Sequence, residues 1–278
     1  MTQDKKLIFL DIDGTLTEPG SNIPPQSAIT AIRGAQQKGH KVFLCTGRNY
    51  DMLAPLIPYG FDGIVGSSGC YVEVDGQVIY DCPLKDEERD RILAVMHRNH
   101  IFCTVESRDG SYTDEGLKEF LAAHANEGSN SELLRWRKQL EGNLNIRPMS
   151  EYRGDAAYKI IFMCLGEENL AEPLALLKDD FALTLQEPDR FGMINGEIVC
   201  KGQDKGTAIR KVADYLKLPM EATVGYGDSM NDKEMLEVVG HSVCMENGSQ
   251  ALKDIVKEIC PPVGEDGLCR SFREHGWS

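Results

Sequence analysis

The chain reads as an α/β protein, a doubly wound parallel sheet built from its two ends with an α+β domain inserted between them. Three observations lead there. Short apolar runs alternate with amphipathic helical segments over residues 1–82 and again over 191–278, the pattern of parallel strands joined by crossover helices. Residues 83–190 have a different texture, in which hairpin signals mix with helices. Finally, two apolar runs far apart in sequence end in acidic, glycine-bearing turns, Asp11-Ile12-Asp13-Gly14-Thr15 and Gly227-Asp228-Ser229-Met230-Asn231-Asp232. In an open α/β sheet such strand ends meet where ligands bind, outside the carboxyl edge.

Residues 6–10 form the first strand and deliver Asp11 and Asp13 into a glycine turn. Residues two apart on an extended segment face one side, so the two carboxylates are expected to share one small volume. They repel there unless a cation lies between them, and a hard divalent metal is the simplest remedy. Residues 25–38 read as a helix stopped by Gly39, 41–45 as the next strand and 62–66 as a short buried strand. A hairpin over 71–80 turns at Asp75-Gly76, a strong two-residue turn signal.

Past Pro83 come a polar helix over 85–99, a strand over 101–105, a turn at Arg108-Asp109-Gly110, a helix over 115–125 and a charged helix near 131–140. A strand over 158–165, a helix over 167–178, a strand over 181–186 and a hairpin over 191–200 turning at Asn195-Gly196 complete this segment. Lys205 then opens a helix with Ile209, Val212, Ala213 and Leu216 at helical spacing. Residues 223–226 form the strand before Gly227, and a helix carrying Met235, Leu236 and Val239 follows the acidic loop. The expected domains are 1–82 with 191–278, and 83–190.

Composition narrows the function classes. A chain of 278 residues is long enough for two cores. No apolar run approaches the roughly 20 residues that span a bilayer, and the residues before the first strand lack the apolar region of a signal peptide. No membrane partner and a cytoplasmic location are the expectation. The nine cysteines are scattered from Cys45 to Cys269 without a Cys-x-x-Cys pair, mostly in apolar runs, and read as buried free thiols in a reducing compartment. Cys45 has no base nearby in sequence to make it a nucleophile. The six histidines, at 40, 97, 100, 124, 241 and 275, lie singly and read as surface or helix-end residues. Net charge is −14, and residues 83–190 carry 14 basic and 21 acidic side chains, which leaves no basic stripe for nucleic acid. An anionic substrate would need local positive charge to reverse this field. The sequence fits a monomer or a small homo-oligomer.

The terminal motifs resemble those of the haloacid dehalogenase (HAD) superfamily, whose first motif reads DxDGT and whose fourth reads GDxxND. Two intermediate motifs fit in order: a strand ending in Thr46-Gly47-Arg48, and Lys205-Gly206-Thr207-Ala208-Ile209, a lysine opening a helix. More than 150 residues separate these two, which is similar to the Cof-type branch with a large type IIB cap. The resemblance covers essentially the whole chain. Taken singly, the first motif is also an ordinary strand-to-turn junction and the last a helix N-cap. Four motifs in order, each at the end of an apolar run, argue for the site.

The resemblance implies a magnesium-dependent phosphatase acting on small phosphate monoesters such as sugar phosphates or phosphorylated cofactors. Asp11 would attack phosphorus to form an aspartyl-phosphate. Asp13 would protonate the leaving alkoxide and later take a proton from the hydrolytic water. Magnesium suits a few carboxylate and carbonyl oxygens, here the Asp11 carboxylate, the Asp13 carbonyl and Asp228, with Asp232 close behind. Phosphoryl oxygens would be met by the Thr46 hydroxyl, the Gly47 and Ile12 backbone amides, the Asn231 side chain and Lys205 at a helix start. Lys201, also followed by glycine, competes with Lys205 but sits among turn residues. Arg48 reads equally as a positive charge for the substrate or as a salt bridge at the sheet edge. Ser67-Ser68-Gly69-Cys70 departs from the Asn-Gly-Ala common in Cof-type relatives, which bears on substrate identity. A phosphomutase of the phosphomannomutase type is the alternative enzyme, although its characteristic cap segments are not found. A non-catalytic binding protein on the same fold is a third reading, against which the intact Asp11, Asp13, Lys205 and Asp228 argue.

Overall fold

A computed structural model of the chain describes residues 5–124, 137, 146–186, 188–189 and 191–278. It divides into two compact units: Met1–Arg48, Leu53–Asp81 and Gln203–Ser278 form the first, Asn49–Met52 and Cys82–Gly202 the second.

The first unit is built on an eight-stranded sheet in the order Glu258–Cys260, His241–Met245, Thr223–Gly227, Leu7–Leu10, Lys41–Cys45, Gly63–Gly66, Tyr71–Val74, Gln77–Asp81. The first six are parallel and the last two antiparallel. Leu7–Leu10 is buried at every residue, as expected of a central parallel strand covered on both faces. Phe9 stacks on Phe43 of the next strand with ring centroids 5.0 Å apart. The helix Gln26–Gln37 turns Ala28, Ala31, Ile32 and Ala35 inward. The helix Lys205–Leu216 buries Ala208, Ile209, Val212 and Ala213, and its first turn is closed by the Asp204 side chain accepting from the Thr207 N–H. The hairpin turns as expected, with Asp75 at φ 51° and Gly76 at φ 77°, both left-handed as a two-residue turn requires.

Register fixes the site. Leu10 pairs with Tyr226 on one side and Leu44 on the other, so Asp11 stands level with Gly227 and Cys45, and Asp228 and Thr46 follow at the same edge. From Leu7–Leu10 the chain winds one way through Lys41–Cys45, and from Thr223–Gly227 the other way through His241–Met245. The switch point of the sheet lies between the strands that lead into Asp11 and Asp228.

The second unit is a six-stranded sheet in the order Phe181–Leu185, Met193–Cys200, Ala157–Leu165, Phe102–Ser107, Gly110–Thr113, Ile146–Pro148. It is antiparallel except for its last pair. Its helices are Asp86–Arg98, Leu117–His124 and Ala171–Leu177 among the described residues. One set of core residues includes Ile92, Val105, Ile160 and Phe162, and another Leu117, Leu121, Ile161 and Met163.

Three expectations are revised. Residues 191–200 do not form a hairpin: Met193–Cys200 is one strand paired on both sides. Gly196 serves close packing there, since a Cβ would meet the Thr184 carbonyl oxygen at 2.3 Å and the Phe162 ring at 2.5 Å. Because that strand belongs to the second unit, the division falls after Gly202 rather than at 190. Asn49–Met52 also groups with the second unit, where the Asn49 amide donates to Ser111 Oγ at 3.1 Å and the Asp51 N–H to the Arg108 carbonyl at 3.0 Å. Residues 241–278, in which no individual elements were placed from sequence, supply two strands and the helices Gln250–Lys253 and Gly267–Glu274. The helix expected near 131–140 falls outside the described residues, Arg137 excepted. All nine cysteines are free thiols, and among the described residues no helix is long and apolar enough to cross a membrane.

Candidate active site

Asp11 leaves its strand held to the sheet by its N–H, which donates to the Tyr226 carbonyl at 3.0 Å. Its Oδ1 lies 2.6 Å from Lys205 Nζ, and the same ammonium sits 2.5 Å from Asp232 Oδ1. Asp232 is fully buried and its other oxygen accepts from the backbone N–H groups of Asp228 and Ser229 at 3.1 and 3.2 Å, which tightens the acidic loop. Carboxylate oxygens of Asp11, Asp228 and Asp232 all lie within 4.8 Å of one another. Two glycines permit this crowding. A Cβ on Gly14 would come within 2.2 Å of Asp228 Oδ2, and one on Gly227 within 2.6 Å of the Asp232 carboxyl.

Three carboxylates and one ammonium leave a formal charge of −2 in a buried volume. Burial, then the neighbouring Asp232 and Asp228, push the Asp11 carboxyl well above the usual carboxylate range, against the pull of Lys205. Burial and then Asp232 push Asp228 up to about 7. For Lys205, burial favours the neutral amine, but Asp11 and Asp232 outweigh it and hold the ammonium charged. Asp228 Oδ1 is buried without a hydrogen-bond partner. A buried unpartnered carboxylate oxygen calls for an explanation. A hard divalent cation fits these residues: its charge balances the site, and the donors are the oxygens magnesium prefers.

The Asp13 carboxylate is not one of this trio, although it lies near enough to Asp228 to help raise that carboxyl. The Asp13 side chain is held in a bidentate fork by Arg48, with Nε 2.9 Å from Oδ2 and a terminal nitrogen 2.7 Å from Oδ1, and the Gly20 N–H adds a bond to Oδ1. Arg48 is buried and also reaches Asn22 Oδ1 at 2.6 Å. Of the two readings of Arg48, the structure displays the salt bridge.

Thr46 is buried at the end of the Lys41–Cys45 strand, where its Oγ1 accepts from the Arg48 N–H, which leaves its hydroxyl proton for another acceptor. The Ile12 carbonyl closes the first-motif turn by accepting from Leu16 and Thr17. Gly47 lies between Thr46 and Arg48. Asn231 is exposed in the Met230–Asp232 turn, its Oδ1 accepting from Ser229 Oγ at 2.7 Å; no bond ties it to Asp11 among the described residues. Lys201 is set aside, because its ammonium donates to the Asp179 carbonyl in the second unit. Burial pushes the Cys45 thiol far up, so it is no nucleophile.

Two features were not read from sequence. Asn247 donates to the Gly14 carbonyl at 3.1 Å and to Asp228 Oδ2 at 3.3 Å, tying the two acidic motifs together. Its signal is the apolar run Val243-Cys244-Met245 ending at Glu246-Asn247-Gly248, a further strand end at the same edge. Ser67 and Ser68 both take positive φ, 47° and 55°, and their N–H groups donate to the Arg48 and Thr46 carbonyls. The departing serine loop is therefore clasped to the Thr-Gly-Arg segment.

Comparison with known proteins identifies the family. The pattern of the haloacid dehalogenase-like hydrolases matches residues 8–272. YkrA of Bacillus subtilis (strain 168) is 28% identical over 98% of each chain. An HMP-PP phosphatase of Yersinia pseudotuberculosis is 27% identical, covering 91% of this chain and 88% of that one. In fold, the chain is similar to the HAD subclass IIB sugar phosphatase BT4131, with a TM-score of 0.76 at 22% identity over 99% of this chain and 100% of that one. With its motifs brought together at one sheet edge and the family pattern running almost from end to end, the chain belongs to the haloacid dehalogenase-like hydrolases.

Proposed function

We propose that the protein is a magnesium-dependent phosphatase that hydrolyses small soluble phosphate monoesters through an aspartyl-phosphate on Asp11. The observation that carries this reading is the cluster of Asp11, Asp228 and Asp232 around Lys205 at the switch point of the sheet. A phosphate monoester is an unreactive dianion, so catalysis is mainly positioning and charge neutralisation. Lys205 takes Asp11 Oδ1, which leaves Oδ2 as the oxygen that attacks phosphorus. Lys205 itself, the Thr46 hydroxyl, the Gly47 and Ile12 amides and the Asn231 side chain are the donors for the phosphoryl oxygens. Asp11, Asp228 and Asp232, with the Asp13 carbonyl, would hold magnesium, which when bound offsets the negative charge of the cluster and of the phosphoryl group.

Asp13 gives a proton to the leaving alkoxide and then takes one from the water that cleaves the acyl phosphate. To hold that proton it must leave the Arg48 fork, so the bidentate pair is a resting partner from which Asp13 is released in turnover. The relatives named as an HMP-PP phosphatase and a sugar phosphatase support phosphorylated cofactors and sugar phosphates as the substrate classes. The free thiols fit a reducing compartment, and we place the reaction in the cytoplasm.

Phosphate release from a panel of phosphorylated metabolites tests the proposal. Asp11→Asn keeps the shape of the site and should reduce release to background, whereas Asp13→Asn should lower turnover by about 100- to 10,000-fold, the range of general acid–base catalysis. Near-wild-type release by Asp11→Asn would sink the covalent mechanism, and sugar isomer formation without free phosphate would indicate a mutase. Chelation should stop activity and magnesium restore it, while calcium, with its looser shell, should inhibit. Full activity in excess chelator refutes the metal requirement.

A further inference from the structure

Two of the histidines that stand singly in the sequence are brought together by the fold. His241 opens the strand His241–Met245, Glu258 opens the adjacent parallel strand Glu258–Cys260, and His275 follows the helix Gly267–Glu274. Both imidazole Nε2 atoms converge on one carboxylate oxygen, at 2.8 Å from His241 and 2.6 Å from His275 to Glu258 Oε2. The three potential ligand atoms lie within 4.8 Å of one another. We propose that His241, Glu258 and His275 form a second metal site, selective for a borderline divalent transition ion such as zinc.

The donor set separates this site from the first. Asp11, Asp228 and Asp232 offer only hard oxygens, which suit magnesium, whereas two imidazoles with one carboxylate suit zinc, cobalt or nickel. The location separates them as well. His241 and Glu258 begin their strands and lie at the amino edge of the sheet, while Asp11 and Asp228 follow the ends of theirs.

The surroundings hold the ligands in place. Glu258 Oε1 accepts from Ser271 Oγ at 3.0 Å, and that hydroxyl lies 2.7 Å from the buried Tyr226 hydroxyl. The His275 ring stacks on Trp277 at 4.4 Å and 17°, and meets the His241 ring edge-on at 4.8 Å. Supporting hydrogen bonds and packing of this kind orient metal ligands. Glu258 Oε2 is already the shared partner of both imidazoles, which places its carboxylate between them as an oxygen ligand. In a tetrahedral zinc site, ligand atoms about 2.0 Å from the metal stand about 3.3 Å apart. The present separations of 2.8 and 2.6 Å need to open by only about 0.5 to 0.7 Å to reach that spacing. The side chains are 29%, 20% and 31% exposed, which leaves room for water as a fourth ligand. A metal here would replace the ring protons and bind the C-terminal helix to the sheet edge.

The test uses the full-length chain without an affinity tag, stripped with chelator, saturated with magnesium and then titrated with cobalt(II) and with zinc. One equivalent of cobalt should bind with the intense visible absorption of a low-coordinate site, and zinc should displace it. Zinc at about a hundred times its dissociation constant should raise the melting temperature by roughly 5–10 °C. His275→Ala and Glu258→Gln should each lose the equivalent and the shift, whereas Asp228→Asn should keep both. X-ray absorption on the zinc-loaded wild type, which needs no variant to fold, should show two imidazole nitrogens. Absence of this equivalent under excess magnesium, an all-oxygen shell, or its retention in folded His275→Ala would overturn the proposal.

Discussion

Asp228 concentrates the electrostatics of the site in one side chain, with one oxygen near Asn247 and the other buried without a partner. Its carboxyl is pushed up to about 7 in the metal-free protein, against about 3.9 in an unfolded chain. Between these values the folded state keeps a proton that the unfolded state has shed. The contribution of this group to stability is therefore complete below about pH 4 and falls as pH rises towards about 7. The effect is on the order of a few kcal/mol, and the raised Asp11 acts in the same direction. Melting temperatures of chelated protein should accordingly fall from about pH 5 to pH 7.5 more steeply in the wild type than in Asp228→Asn. Magnesium should recover the loss at the upper end. Parallel profiles for the two proteins would contradict the assignment. At this scale much was legible, because Asp11, Lys205, Asp228 and Asp232 sit at strand ends and helix starts that local pattern marks. The Arg48 fork on Asp13 was not, because only the fold of residues 13–22 shows which way that carboxylate turns.

Elements whose cause is local were also read correctly. The 41–45 strand and the Asp75-Gly76 hairpin are fixed by apolar runs and turn chemistry. Asn195-Gly196 carries the same turn signal, yet the chain runs straight through it. What decides is tertiary: Phe162 and Thr184 on the flanking strands occupy the space above Gly196, and neither is near it in sequence. Of the last strands, 241–245 carries the apolar run Val243-Cys244-Met245 and was there to be read, whereas the three-residue Glu258–Cys260 is too short for periodicity to mark. Gly196→Ala tests this explanation of the glycine. Forcing a methyl into space bounded by a backbone carbonyl and an aromatic ring should destabilise the second unit by about 1–3 kcal/mol, as overpacking does elsewhere. Urea unfolding followed by a probe in that unit measures it. An unchanged midpoint would mean that Gly196 is not placed for packing.

At the scale of the whole molecule, the residues proposed for phosphoryl transfer all belong to the first unit, while the second has its own sheet and its own core clusters. We propose that selectivity for the leaving group resides in the second unit. Exchange of that unit for a relative's should change which esters are cleaved. Activity on p-nitrophenyl phosphate should survive, since a small artificial ester asks little of a specificity domain. The structure refines how the exchange must be made. Asn49–Met52 groups with the second unit although it directly follows Arg48, and the buried Asn49 side chain bonds to Ser111 Oγ. A graft of 82–202 alone separates Asn49 from its partner strand and leaves buried polar groups unsatisfied, at about 1–3 kcal/mol for each. A graft that also carries 49–52 keeps the pairing. The second chimera should melt higher than the first, and both should show the donor's substrate ranking if they fold. A folded chimera that kept the original ranking, or a change at Lys205 that altered ranking without lowering rate, would show that selectivity is not divided between the units in this way.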